Sequence, residues 1–463
     1  MCTYWVGQFE NAIIMKNTNL KDKRVLVVGL GGSGIAASRL LLEKGAAVWI
    51  TEKADNVKIQ NIAHEFVQKG AVVEIGKHTE DFVREKDFIV ISPGVNARHE
   101  VVLWAEKYKI PVISELELAS WYIDYPLICV TGTNGKSTVT TLVDYILKCA
   151  GKRTIGCGNL GMPLSEVVLN YKNLDYGVVE VSSFQLEFIK EFKPYISVWL
   201  NFSYDHLDHH ASMDEYLKAK LRVFENQTSS DWAVIYYEEN KRVGGLKAKK
   251  IIYGDKSGVE FVVEDAFLKG KHNHDNIQAA FAVSKICGVE SEIIKNAVKA
   301  FRPLSHRMEY VDTIDNVTFI DDSKATNVHA VIPALNSLNY PVILILGGRD
   351  KGDDFTRLKD FIKEKVKTLI VIGEAKEKII KQLKGVVDIF EASTLDEAVQ
   401  NAMKCSVPGG TVMLSPGCSS FDMFKDYKER GENFKEAVTK LKTRNTKQKI
   451  DNRTVLHVSI NKR

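Results

Sequence analysis

The 463-residue sequence contains no apolar run approaching the ~18 residues of a membrane-crossing helix, which speaks against an integral membrane protein. The opening Met1-Cys-Thr-Tyr-Trp-Val6 lacks a basic segment leading into an apolar one, so no secretory leader is expected. Cysteine is scarce: seven, scattered, with no CxxC pair and no zinc-finger spacing. That pattern predicts free thiols in a reducing compartment and a cytoplasmic location. No internal repeat recurs at a solenoid period. Charge of one sign is lacking as well. The net charge is +4, but Lys440–Arg463 holds eight Lys/Arg against Asp451 alone, which leaves the body mildly acidic at −3. A nucleic-acid partner is therefore not expected, and 446–463 reads as a poorly ordered basic tail.

What is present is ordinary for a globular protein, with 45% apolar and 26% charged residues. The length calls for several cores. Short β-branched runs alternate with helical patterns throughout, which predicts largely parallel α/β sheets with ligands at the carboxyl ends of the strands. Three blocks follow one another: 1–124, 125–301 and 302–445. The expected strands are Arg24–Gly29, Ala47–Thr51, Ala71–Ile75 and Phe88–Ile91 in the first block. The second has Tyr125–Val130, Tyr176–Val181, Ile196–Asn201 and Trp232–Tyr237, then helices over Asn276–Cys287 and Glu290–Phe301. The third has Val317–Ile320, Val342–Leu346, Thr368–Ile372 and Thr411–Leu414.

The strongest local signal is Val130-Thr-Gly-Thr-Asn-Gly-Lys-Ser-Thr138, between an apolar strand and a helical segment. A strand that breaks at small residues and restarts as a helix aims bare N–H groups and the helix dipole at one point. Gly132, Thr133, Asn134, Gly135, Lys136, Ser137 and Thr138 then form a nucleotide-phosphate loop, with Lys136 for the phosphates and the Ser137 hydroxyl for Mg²⁺. Val130 stands where a strict P-loop has glycine, so Gly132 is expected to make the turn. Gly29-Leu-Gly-Gly-Ser-Gly34, after a strand and some twenty residues before Glu52, has the βαβ dinucleotide spacing. It offers a pyrophosphate the N-terminus of a second helix.

Glu180, at the end of a buried-looking strand, could reach a magnesium ion at the phosphate loop. In Asn201-Phe-Ser-Tyr-Asp-His-Leu-Asp-His-His210, His206 beside Asp205 and Asp208 suggests a second metal or substrate site, with His209 and His210 as exposed loop residues. On spacing alone Lys220 is an exposed helix lysine. The third block gathers His306-Arg307, Asp321-Asp-Ser-Lys-Ala-Thr-Asn327 and Gly347-Gly-Arg-Asp-Lys351, acids and bases at strand ends suited to a charged, polyfunctional ligand.

In combination, the sequence resembles the Mur ligase family, and its D-glutamate-adding branch in particular. The motifs that carry this are Gly132–Thr138, Gly158-Asn-Leu-Gly161, Glu180-Val-Ser-Ser-Phe-Gln-Leu-Glu187, Asp205-His206, Ala219-Lys-Leu-Arg222, His272-Asn273 with Asn276, His306-Arg307, Asp322-Ser-Lys-Ala-Thr-Asn327 and Leu414-Ser-Pro with Ser419-Ser-Phe-Asp422. The Asp-Asn-Pro-Arg of the diamino-acid-adding branch is absent. The resemblance implies three consecutive α/β domains: a Rossmann-like N-terminal one, a central P-loop ATPase-type one with a mostly parallel sheet, and a Rossmann-like C-terminal one. It implies an ATP-dependent amide ligase that adds D-glutamate to UDP-N-acetylmuramoyl-L-alanine through an acyl phosphate, with Mg²⁺ at two sites. It further implies a monomer acting on small molecules.

By position, Lys136, Glu180, His206 and Lys220 are then catalytic. Ser137, Glu180, His206 and Lys220 hold metal, Lys220 as a carbamate. Asn276, Arg307 and Asp322 join the phosphate loop at ATP. Gly31, Gly32, Ser33, Glu52, Lys53, Ser92, Gly94 and Asn159 take the UDP-substrate. Lys324, Thr326, Lys351, Ser420, Phe421 and Tyr427 surround D-glutamate. Two other readings compete: a folate polyglutamate synthetase-like ligase, and a nicotinamide-dependent oxidoreductase resting on the glycine-rich loop and Glu52.

Overall fold

The structure, a computed structural model, describes residues 19–202, 210–254, 261, 263, 266–268, 271–302, 305–336, 338–350 and 352–460. His206 and Lys351 lie outside the described residues. The chain forms two compact units, Met1–Phe301 and Arg302–Arg463.

The first unit contains two parallel sheets. Strands β1 (Arg24–Val28), β2 (Ala47–Glu52), β3 (Val72–Ile75), β4 (Phe88–Ile91) and β5 (Val112–Ser114) order as 3-2-1-4-5. The order reverses between β1 and β4, and that switch point is where open α/β sheets bind ligands. Strands β6 (Leu127–Thr131), β7 (Thr154–Gly158), β8 (Tyr176–Glu180), β9 (Ile196–Trp199), β10 (Trp232–Tyr236) and β11 (Lys249–Tyr253) order as 11-10-9-6-8-7. All of β6 is buried, as a strand with helices on both faces must be.

The second unit has one sheet, ordered 12-13-17-14-15-16, of β12 (Glu309–Ile314), β13 (Val317–Asp321), β14 (Val342–Gly347), β15 (Val366–Ile372), β16 (Asp388–Glu391) and β17 (Thr411–Leu414). It is parallel except for β12, which runs antiparallel to β13. The backbone of residues 446–460 continues the last helix, Tyr427–Ile460. No helix among the described residues is long and apolar enough to cross a membrane.

Within the first unit a carboxylate clasp ties the two sheets together. Glu117, fully buried on the short helix Glu115–Ser120 after β5, accepts from the backbone N–H of Lys190 (2.7 Å), Glu191 (3.0 Å) and Phe192 (2.9 Å) and from Trp121 Nε1 (2.9 Å). Next to it Ser114 N donates to Phe188 O, and Glu115 accepts from Ser165 N. Glu117→Ala would leave these donors buried and unpaired, at about 1–3 kcal/mol for each group not rescued by water. A clearly lowered urea midpoint, followed by Trp121-sensitive fluorescence, is the expected result; an unchanged midpoint would refute the clasp.

Candidate active site

The phosphate loop is built as its sequence requires. β6 ends at Thr131, Gly132 turns the chain with φ +149°, and Gly135 (φ +83°) caps helix Lys136–Cys149. A Cβ at Gly132 would come within 2.9 Å of Leu200 Cβ, and one at Gly135 would collide with Asn276 Oδ1. Both positions therefore demand glycine on conformation and on space. Gly135 has no side chain with which to cap the helix, whose N-terminal turn and dipole open onto the loop. Asn201, at the end of β9, holds the loop from beneath. Its Oδ1 accepts from Asn134 N (2.8 Å), its Nδ2 donates to Asn134 O (3.1 Å) and its carbonyl accepts from Thr133 N (2.9 Å). Sequence reasoning marked the polar run opening at Asn201 but gave that residue no role; a polar residue ending an apolar central strand was the available signal.

Two lysines converge here. Lys136 Nζ donates to Gly132 O (3.0 Å) and Thr133 O (2.8 Å), and Lys220 Nζ donates to the same Gly132 O at 2.7 Å. Lys220 is 1% exposed, its ammonium 4.9 Å from the centre of the Tyr216 ring. The exposed-lysine reading from spacing is thus wrong: helix Met213–Leu221 turns this face inward against the loop. His210 is likewise buried, not an exposed loop residue; its Nε2 pairs with Ser183 Oγ at 3.0 Å and its ring lies beside Phe184 and Tyr216.

Glu180 ends β8 beside this cluster and is 2% exposed. One of its oxygens accepts from Asn159 Nδ2 (2.7 Å); the other is buried without a hydrogen-bond partner among the described residues. An orphaned buried carboxylate oxygen costs free energy unless a cation meets it. Together with the buried Ser137 hydroxyl, it suits Mg²⁺, which favours one or two carboxylates plus phosphate oxygens. Asn159 therefore sits on Glu180 and is absent from the lining of the glycine-rich cleft.

That cleft, about 410 Å³, lies at the β1/β4 switch point and is lined by Gly31, Gly32, Ser33, Glu52, Lys53, Ser92 and Gly94 among others. Helix Gly32–Glu43 presents an uncapped N-terminus to it. A Cβ at Gly34 would strike Gly29 O, so the third glycine permits close helix–strand approach. Ser92 Oγ is buried here with no hydrogen-bond partner among the described residues. Glu52 faces inward to the loop itself: its carboxylate accepts from Leu30 N (2.7 Å) and Ala54 N (2.8 Å). Two half-buried histidines, His78 and His99, also line the cleft and were missed in the sequence; burial holds both below the usual imidazole range.

In the second unit the strand ends form one polar cluster. Asp322 follows β13, buried, accepting from Ser415 Oγ (2.7 Å) and Met308 N (3.2 Å), and burial pushes its carboxyl up to about 7. His306 Nδ1 pairs with Asp321 at 2.7 Å, and Arg307 adds a positive charge beside Asp322. Lys324 and Thr326 lie on the loop after β13, Ser420 and Phe421 on the loop after β17, and Tyr427 opens the last helix. Arg430, 1% exposed, binds these segments together: Nε donates to Ser323 Oγ (2.9 Å), Nη2 to Ser323 O (2.8 Å) and Nη1 to Cys418 O (3.0 Å). It was not singled out in the sequence. Arg349 points elsewhere, paired through two nitrogens with the exposed Glu374.

Comparison with known proteins agrees with this arrangement. Three family models match in order: the Mur ligase MurD-like N-terminal domain over residues 23–114, the Mur ligase middle domain over 130–295 and the Mur ligase glutamate ligase domain over 306–418. A UDP-N-acetylmuramoylalanine–D-glutamate ligase of Geotalea uraniireducens is 41% identical, covering 91% of this chain and 98% of the relative. A protein of the same name from Geobacter sp. is 40% identical over 90% of this chain and 98% of its own. Among solved structures, the UDP-N-acetylmuramate–alanine ligase of Thermotoga maritima shares the fold, with a TM-score of 0.52 at 18% identity, covering 90% of this chain and all of that one. The chain belongs to the Mur ligase family, whose members are ATP-dependent amide ligases. The glycine-rich cleft accordingly belongs to a ligase, and the oxidoreductase reading is set aside.

Proposed function

We propose that this enzyme joins D-glutamate to UDP-N-acetylmuramoyl-L-alanine at the expense of ATP, a step of peptidoglycan precursor synthesis. The activity is that of the relatives, about 40% identical over nine-tenths of the chain. The observation in the chain itself that best supports it is the pairing of a phosphate loop with a buried, half-satisfied Glu180. In this reading the alanyl carboxylate takes the γ-phosphoryl group of ATP, the D-glutamate amine attacks the acyl phosphate, and the tetrahedral intermediate expels phosphate.

Gly132–Thr138 and Asn276 hold the ATP phosphates, with Lys136 neutralising charge that develops on the transferring group. Ser137 and Glu180 would hold one Mg²⁺, and His206 with carbamylated Lys220 a second. The ions would screen phosphate charge from the incoming carboxylate. Gly31, Gly32 and Ser33 offer helix N–H groups to the UDP diphosphate, with Lys53, Ser92 and Gly94 around it; Glu52 braces the loop. Asn159 fixes the Glu180 carboxylate. To the second unit the same reading assigns Arg307 and Asp322 for the nucleotide. It also assigns Lys324, Thr326, Ser420, Phe421 and Tyr427, with Lys351, for D-glutamate.

The test is phosphate release from ATP, which should require both UDP-N-acetylmuramoyl-L-alanine and D-glutamate. D-Alanine should be a poorer acceptor by on the order of 10⁴, because a site built for two carboxylates leaves buried polar groups unpaired when one is missing. Comparable incorporation of D-alanine would reject the proposed amino acid.

A further inference from the structure

The acid that ends β2, the usual reader of a nucleoside in a βαβ cleft, is already engaged by the loop in this chain: each Glu52 oxygen accepts one backbone N–H. Two further polar side chains suited to a base come from the loops after β3 and β4. His78 and His99 line the cleft with ring centres 5.1 Å apart and planes at 73°.

The neighbours of each ring fix its tautomer. Thr51 Oγ1 lies 3.0 Å from Glu74 Oε1, 3.2 Å from Lys77 O and 2.8 Å from His78 Nδ1. The first two can only accept, so the Thr51 proton goes to one of them and His78 Nδ1 must donate to the Thr51 oxygen. The neutral His78 ring then carries a lone pair on Nε2. His99 is the opposite case. It caps helix Glu100–Lys107 by accepting from Val101 N at Nδ1 (3.3 Å), which places the proton of the neutral ring on Nε2. The two cleft-lining rings thus differ at Nε2, one an acceptor and the other a donor.

We propose that His78 and His99 read the base of the uridine nucleotide, His78 Nε2 accepting from the uracil imide N–H and His99 Nε2 donating to a flanking carbonyl. The inference rests on the UDP-substrate reading and deepens it. Cytosine presents a bare ring nitrogen where uracil has the imide N–H, so two acceptors would face each other at His78. A ring nitrogen of each histidine and a Glu100 oxygen do lie within 4.8 Å of one another, as in a metal site. A metal-bound histidine, however, donates from its other nitrogen, whereas His99 Nδ1 accepts.

Calorimetric titration of the full chain with UDP, CDP and N3-methyl-UDP tests this. UDP should bind at least about tenfold more tightly than either analogue. His78→Ala and His99→Ala should each weaken UDP about tenfold and narrow its lead over CDP, while retained ATP affinity reports an intact fold. N3-methyl-UDP bound as well as UDP by the parent would overturn the proposal without any variant. So would His78→Ala and His99→Ala proteins that keep the parent's UDP affinity and preference. UDP binding without base preference would sink the histidine pair alone, whereas no UDP binding by the parent would sink the UDP-substrate reading with it.

Discussion

Lys136→Ala is expected to lower kcat for ligation by 100-fold or more while the protein still melts as the parent does. The side chain opens helix Lys136–Cys149 and folds back onto the carbonyls of Gly132 and Thr133, so its ammonium already stands over the anion site. Catalysis by such a group comes from charge it balances in the transition state, and removing one such stabiliser costs on the order of 3 kcal/mol. The loop geometry should survive, because Asn201 and the glycine turns set it. Steady-state phosphate release with both substrates saturating measures the effect, and a loss of only a few-fold would remove Lys136 from the chemistry.

A comparable loss is expected for Lys220→Ala, with one difference: small carboxylic acids should restore part of it. Two ammonium groups lie within 3.0 Å of the Gly132 carbonyl oxygen, an arrangement of like charges in a buried setting. A lysine ammonium can only donate and so cannot ligate a cation. Carbamylation by CO₂ exchanges that positive charge for an anionic group with two oxygens, which Mg²⁺ accepts readily. Acetate diffusing into the space vacated in Lys220→Ala would supply similar oxygens. Activity near that of the parent without added acid would eliminate the carbamate. So would a mass spectrum of the native protein in bicarbonate showing no added CO₂ on the peptide containing Lys220.

The legibility of the fold followed burial. Every strand expected from the sequence is present, and the five that were not expected, β5, β7, β11, β12 and β16, all lie at sheet edges. Central strands such as β6 and β14 are covered on both faces and read as unbroken apolar runs. An edge strand has no such requirement: β7 is Thr-Ile-Gly-Cys-Gly, and β16, Asp-Ile-Phe-Glu, has no fully buried residue.

The site divides in the same way. The turns at Gly132 and Gly135 were readable because a strand–loop–helix imposes local spacing, and the burial of Glu180 because an apolar run leads into it. The burial of Lys220 gave no local signal, since it depends on how a distant helix packs. His78, His99 and Arg430 gave no signal, because each owes its role to partners many residues away or to a loop conformation with no motif.

The Glu117 clasp bears on how this chain is made. During synthesis, strands β1–β5 emerge first, but the carboxylate that closes their last helix has no acceptor-matched turn until residues 190–192 have left the ribosome. Until then a charge destined for the interior must stay hydrated, and the end of the first sheet cannot settle. A fragment ending near residue 124 would accordingly lack three of the four donors to Glu117. Grafting it onto another ligase would require carrying the 190–192 turn along, or replacing Glu117 and its partners as a set.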